Sequence, residues 1–217
     1  MQIPSHAETL VLGGGCFWCT EAVFVQVKGV LDVESGYCNG HARNPTYEQV
    51  CSGQTGHNEV VRLVYDPQII STRVLLEIFF VIHDPTTLNR QGNDAGTQYR
   101  SGIYWRDEAD RVVAQQVLDE VNAELAGRVV TELQALANYS AAEDYHQDYF
   151  EQHPNQGYCA FVVAPKVQKF VQTFADKTWQ TVMLRYLDDP QHFNGLRRLG
   201  EIPNYPIPKV DSSESPQ

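Results

Sequence analysis

The chain has no apolar run long enough to cross a bilayer. Its longest, VLLEIFFVIH at residues 74–83, is interrupted by Glu77 and falls far short of the ~20 residues a spanning helix needs. The first residues, MQIPSHAETL, lack the basic start and apolar run of a secretory signal. Positive charge is scarce: 16 Lys and Arg stand against 27 Asp and Glu, giving a net charge of −11 and a pI near 5.0. Such a surface repels phosphate backbones and anionic lipid, so nucleic acid and membrane are poor partners, whereas a neutral or cationic peptide is acceptable. No internal repeat and no low-complexity block interrupts the 217 residues.

Cysteine occurs in odd number, at Cys16, Cys19, Cys38, Cys51 and Cys159, in a chain too long for a small disulfide scaffold. A cytoplasmic protein with reduced thiols is expected, in which C-x-x-C signals redox chemistry or metal binding rather than architecture. A structural zinc site would need a second close pair, and Cys38 and Cys51 do not make one, so no metal is expected. The glycines at 13–15 also fail as a dinucleotide fingerprint, because Trp18 stands where the last glycine is required.

What is there is concentrated in GGGCFWCTE, residues 13–21. The pattern ETLVLGGG reads as a strand ending in glycines, and CFWCTEAVFVQVKG as a helix apolar nearly all round, stopped by Gly29. Cys16 then lies at a helix N-terminus, where unpaired N–H groups and the dipole favour a thiolate of lowered pKa. Cys19 lies one turn on, on the same helix face. Lone cysteines are usually small buried apolar residues, and Phe17 and Trp18 are ordinary helix core. The glycine run and the C-x-x-C spacing tilt this stretch toward a nucleophile walled by aromatics.

A second feature is NEVVRLVYD at residues 58–66, whose alternation puts Glu59 on one face with Val61, Leu63 and Tyr65. Burial there would raise its pKa and keep the acid neutral near pH 7, able to donate a proton. A strand-end residue curling into water is the equal alternative. PTYEQV carries a capping box, with Thr46 as cap and Gln49 three residues on. TRVLLEIFFVIH and DEADRVVAQQVLDEVNAEL read as helices, and QYRSGIYW, VVTELQAL and GYCAFVVAPK as strands. AAEDYHQDYFEQH reads as a helix bearing His146 and His153, and VQKFVQTFADKTWQTVML as another. Tyr47, Tyr99 and Asp94 carry no chemical signal of their own; Asp94 sits among turn residues. Strands and helices alternate irregularly, which points to an α+β fold.

The stretches GCFWCTE, GYCNGHARNPTYEQVCSGQTGHNEVVRLVYDP, HDPTTLNRQGNDAGTQYRSGIY and AEDYHQDYF, taken together and in this order, resemble the A-type peptide methionine sulfoxide reductases. The resemblance implies a two-layer α/β sandwich with a ferredoxin-like mixed sheet over residues 1–165. Residues 166–217 would add a C-terminal helical extension and a disordered tail packed on the same domain. It implies reduction of methionine-S-sulfoxide, free and in proteins, by Cys16 as nucleophile, without metal or organic cofactor. Phe17 and Trp18 match the aromatics that hold the substrate methyl, and Asp94 a polar residue that orients substrate. Glu59 matches the acid on the sulfoxide oxygen, with Tyr47 and Tyr99 matching hydroxyls aimed at the same atom. A sulfenic acid on Cys16 would be resolved by a second thiol and the disulfide reduced by thioredoxin. Cys19, where the commonest pattern has glycine, is the preferred resolving residue, and Cys159 in GYC is the second choice or a relay. The rival readings are a general thiol–disulfide oxidoreductase using Cys16 and Cys19, and a zinc-binding module.

Overall fold

The computed structural model describes residues 3–178. Its sheet has six strands in the order β7-β6-β1-β3-β2-β8. β1 (Glu8–Gly14), β2 (Val30–Cys38), β3 (Asn58–Tyr65) and β6 (Ser101–Trp105) form the antiparallel centre. β7 (Glu132–Ala135) extends one edge in parallel, and the two-residue β8 (Ser140–Ala141) closes the other. With α1 (Phe17–Phe24) between β1 and β2, and α3 (Thr72–Ile82) between β3 and β6, the central connectivity is β-α-β-β-α-β in the order 4-1-3-2. That is the ferredoxin-like arrangement, within an α+β fold.

Alternation along the strands sets the layers. Leu10, Leu12, Val61, Leu63, Tyr65 and Ile103 meet the inner sides of α1 and α3 in one continuous core. The opposite sheet face carries a smaller cluster of Val11, Cys38, Val60 and Tyr104, covered by Leu136 and Tyr139. α2 (Tyr47–Cys51) opens on the capping box, with Thr46 accepting from the Gln49 N–H and Gln49 reaching back. α4 (Glu108–Glu124) begins under an Asp107 cap and packs along α3. The polar loop at 84–97 is pinned by a small hairpin of β4 (Arg90–Gln91) and β5 (Asp94–Ala95).

Three local expectations give way to tertiary context. GYCAFVVAPK is helical, a π turn over Cys159–Val163 running into α6 (Ala164–Thr173). Its buried residues Cys159, Val163, Val167 and Phe170 recur at helical spacing, while Phe161 is exposed, so the β-branched run serves a helix period and not a strand. AAEDYHQDYFEQH is not one helix: it contributes β8, a 3₁₀ turn at Asp144–His146 and the four-residue α5 (Tyr149–Gln152). Asp148, at φ 52°, breaks it. QYRSGIYW divides into a 3₁₀ turn over Thr97–Tyr99 and β6. The expected helix continues past α6 only to a short turn at Ala175–Lys177, and its remainder and the tail lie outside the described residues.

α6 lies against α1 and α3, with Phe170 fully buried in the main core and the Lys169 ammonium donating to the Val81 carbonyl at 2.9 Å. Phe170→Ala is therefore expected to lower the unfolding free energy by ~3–5 kcal/mol, measured by urea denaturation.

Candidate active site

The glycines before Cys16 are set by contact and by dihedral. A Cβ on Gly13 would lie 2.2 Å from Asn58 Nδ2. Gly15 has φ +91°, and a Cβ there would meet Gln91 at 2.6 Å. The chain thus turns sharply out of β1, and Cys16 becomes the cap residue of α1 with no side-chain capping bond. Its sulfur is left free for chemistry while the first N–H groups of the helix look for partners.

One of those donors finds Glu59. The Phe17 N–H donates to Glu59 Oε2 at 3.2 Å across 42 residues of sequence. Glu59 is 1% exposed, and its other oxygen, Oε1, is buried without a partner. The alternative of a strand-end side chain reaching water is thereby excluded. Burial raises the Glu59 carboxyl to about 8, against the smaller opposing effect of the Phe17 N–H. Near neutral pH it is largely a protonated acid with one unspent oxygen.

Cys16 departs from the lowered pKa expected of a helix start. Burial drives its thiol well above the ordinary cysteine range, and Cys19 and Glu59 push it further. Desolvation outweighs the helix N-terminus here. The Cys19 thiol is lowered to about 7, chiefly by its interaction with Cys16, with help from Lys166 and Tyr158 against burial. Cys16 caps α1 and Cys19 lies three residues on, one helical turn away, and each thiol affects the titration of the other. Cys159 is buried in the same core and senses the Cys19 charge. Cys38 is buried in the small second cluster. Cys51, on α2, is exposed.

Tyr47 and Tyr99 converge on this spot from α2 and the 3₁₀ turn. Both phenols are pushed up by burial and then by Glu59 and neighbouring thiols, so they stay protonated donors. Phe17 is buried, and Trp18 half-buried at the rim. The Trp18 ring lies flat on Tyr149, with centroids 3.7 Å apart and planes 6° from parallel. Its indole N–H donates to His146 Nδ1 at 3.2 Å, and His146 packs 5.0 Å from Phe17 and 4.4 Å from Tyr47. Asp94 accepts a hydrogen bond of 2.6 Å from the Tyr158 hydroxyl.

The structure thus brings Cys16, Cys19, Glu59, Tyr47, Tyr99, Phe17, Trp18, Asp94 and Cys159 into one neighbourhood. Among the described residues no group of three or more His, Cys, Asp and Glu is arranged to hold a metal ion, and no helix is long and apolar enough to cross a membrane.

The family model for peptide methionine sulfoxide reductase matches residues 8–178. The chain belongs to that family. It is an oxidoreductase of the MsrA type. The peptide methionine sulfoxide reductase MsrA of Saccharolobus solfataricus is 55% identical over 170 residues, covering 78% of this chain and 96% of that protein. MsrA of Sulfolobus acidocaldarius is 53% identical over 170 residues, covering 78% of this chain and 97% of that one. Among solved structures, reduced Mxr1 from Saccharomyces cerevisiae matches with a TM-score of 0.69 at 35% identity, covering 72% of this chain and 91% of that one. Methionine sulfoxide reductase A of Corynebacterium diphtheriae matches with a TM-score of 0.69 at 37% identity, covering 73% and 80%.

Sequence reasoning passes over several groups that shape this MsrA-type site. His146 reads as packing or solvated; it is 1% exposed and holds the Trp18 indole. Glu21 is buried on α1, accepting from Ser35 Oγ at 3.0 Å and from the Tyr149 N–H at 3.3 Å, which ties the stacking partner of Trp18 to the helix that carries Trp18. Tyr158 is hidden within GYC because the segment reads as a strand. The run QDYFEQ, rich in rings beside a buried histidine, was the available signal for the wall.

Two outcomes follow. Peptide-resolved alkylation against pH should label Cys19 with a midpoint near 7 and Cys16 only above the ordinary cysteine range. Glu59 has a folded pKa of about 8 above its unfolded value of 4.5, so stability present below 4.5 is lost as pH rises through 8. Glu59→Gln should therefore unfold with ~2–5 kcal/mol more free energy than wild type at pH 9, and with no such gain below pH 4.5, measured by denaturant titration.

Proposed function

We propose that this chain reduces the S epimer of methionine sulfoxide, free and within proteins, and so repairs oxidised proteins in a reducing, cytoplasmic compartment. The observation that carries the reading is the buried carboxyl of Glu59, its Oε1 unspent, held by the N–H next to the Cys16 nucleophile. A sulfoxide sulfur becomes electrophilic only when its oxygen is protonated or strongly hydrogen-bonded. Glu59 supplies the proton, and the Tyr47 and Tyr99 hydroxyls add hydrogen bonds to the same oxygen. Phe17 and Trp18 receive the S-methyl group, and Asp94 orients the rest of the substrate. The Cys16 sulfur attacks the sulfoxide sulfur, and oxygen transfers to it. Thiol and sulfoxide become sulfenic acid and thioether, with two electrons passing from Cys16.

Cys19 then condenses with the sulfenic acid, releasing water and leaving a Cys16–Cys19 disulfide. Its closeness to Cys16 supports this order over direct closure by Cys159. Cys159, buried in the same core, takes over the disulfide by exchange and presents it to thioredoxin. A general thiol–disulfide oxidoreductase would need neither the buried acid nor the two phenols.

The test is an assay on the separated sulfoxide epimers with dithiothreitol. Wild type should consume the S epimer and spare the R epimer, Cys16→Ser should show no turnover, and Glu59→Gln should lose ~10²–10⁴-fold in rate. Activity independent of Glu59 would sink the reading.

A further inference from the structure

The hydroxyl of Tyr158 sits between two groups the chemistry above uses for different purposes. It donates to Asp94 Oδ2 at 2.6 Å and lies 3.9 Å from Cys19 Sγ, within hydrogen-bond range for sulfur. The ring stands edge-on to Trp18, with centroids 6.0 Å apart. These contacts define an unbroken chain. The Cys19 S–H can donate to the phenol oxygen while the phenol O–H donates to a carboxylate.

We propose that Tyr158 is a further catalytic residue, whose hydroxyl together with Asp94 forms the proton-accepting chain that activates Cys19 against the sulfenic acid. The inference rests on the reading of Cys19 as the resolving thiol and deepens it. The Cys19 S–H bond breaks as its proton passes to the phenol oxygen and the phenol proton passes to Asp94. The electron pair left on Cys19 Sγ attacks Cys16 Sγ, and an S–S bond forms as the S–O bond breaks. Oxygen leaves as hydroxide and takes the proton held on Asp94 to become water. The Cys19 sulfur is oxidised and the sulfenic sulfur of Cys16 is reduced. Tyr158 ends the step protonated, as it began.

The position of Tyr158 gives it a second property. It immediately precedes Cys159, so the segment that delivers the relay thiol also delivers the hydroxyl that deprotonates Cys19.

The test is single turnover without reductant, using one equivalent of methionine-S-sulfoxide and comparing wild type with Tyr158→Phe, which keeps the ring and the backbone. Methionine release, followed by rapid quench, reports the first step, and loss of the second titratable thiol, after the one consumed as sulfenic acid, reports the second. Tyr158→Phe should slow thiol loss at least about tenfold more than it slows methionine release. It should also move the pH midpoint of thiol loss upward from about 7. The groups facing Cys19 in that titration are Cys16 on α1, Glu59 on β3, Asp94 on β5, Tyr158 and Cys159 on the C-terminal segment, and Lys166 on α6. All but the phenol are retained in the variant. Asp94→Asn, which still accepts a hydrogen bond but takes no proton, should likewise slow thiol loss more than methionine release. Equal slowing of both steps, unchanged thiol loss, or a first bridge mapping to Cys16–Cys159 would overturn the proposal. A wild-type chain that releases no methionine would overturn the reductase reading itself, and the two failures are told apart because only the second abolishes the first step.

Discussion

One hydrogen bond organises this molecule: the N–H of Phe17 on a buried carboxyl oxygen of Glu59. It joins the start of the first helix to the middle of the sheet and fixes where Cys16 and Glu59 stand relative to each other. Burying a carboxyl with one oxygen unpaired costs free energy, and here that cost is carried as a raised pKa. The same low-dielectric surroundings keep the Cys16 thiol protonated. A protonated thiol is a poor target for stray oxidants and electrophiles.

The aromatic wall is held by the same economy of contacts. Trp18 is stacked on one ring and hydrogen-bonded to another, and both partners belong to the irregular stretch after β8. Glu21 ties that stretch to α1 through the Tyr149 N–H, so the aromatic wall and Cys16 share one support. Its carboxyl too is raised, to about 7, chiefly by burial. Two buried acids in one small core are a destabilising choice for folding, and the arrangement is intelligible as a site maintained against that tendency.

Much of this was legible in the chain. GGGCFWCTE announces a turn, a helix start and a dithiol in nine letters, while the period-two pattern around Glu59 leaves core and water as equal alternatives that only the packed sheet decides. The irregular alternation gives only the α+β class, and the ferredoxin-like sheet comes from the family resemblance. The misreadings have one cause in common. Where residues 144–163 fold against aromatics and thiols supplied by distant segments, local propensity ceases to decide. VVAP looks extended because it is β-branched, yet it is helical because Val163 and Val167 share a buried stripe with Phe170. The state of Cys16 was misjudged for a related reason. A helix N-terminus is visible in sequence, but the depth at which it lies is not.

The π turn at Cys159–Val163 has a consequence for how this chain can change over time. A π turn holds one residue more than an α turn, and deleting that residue would rotate everything after it by about 100°. Val167 and Phe170 would then turn away from the core while Tyr158 and Cys159 stayed fixed by the thiols. Side chains in this segment can be exchanged one at a time, but its length cannot: an insertion or deletion forces a choice between an anchored helix and a seated sulfur.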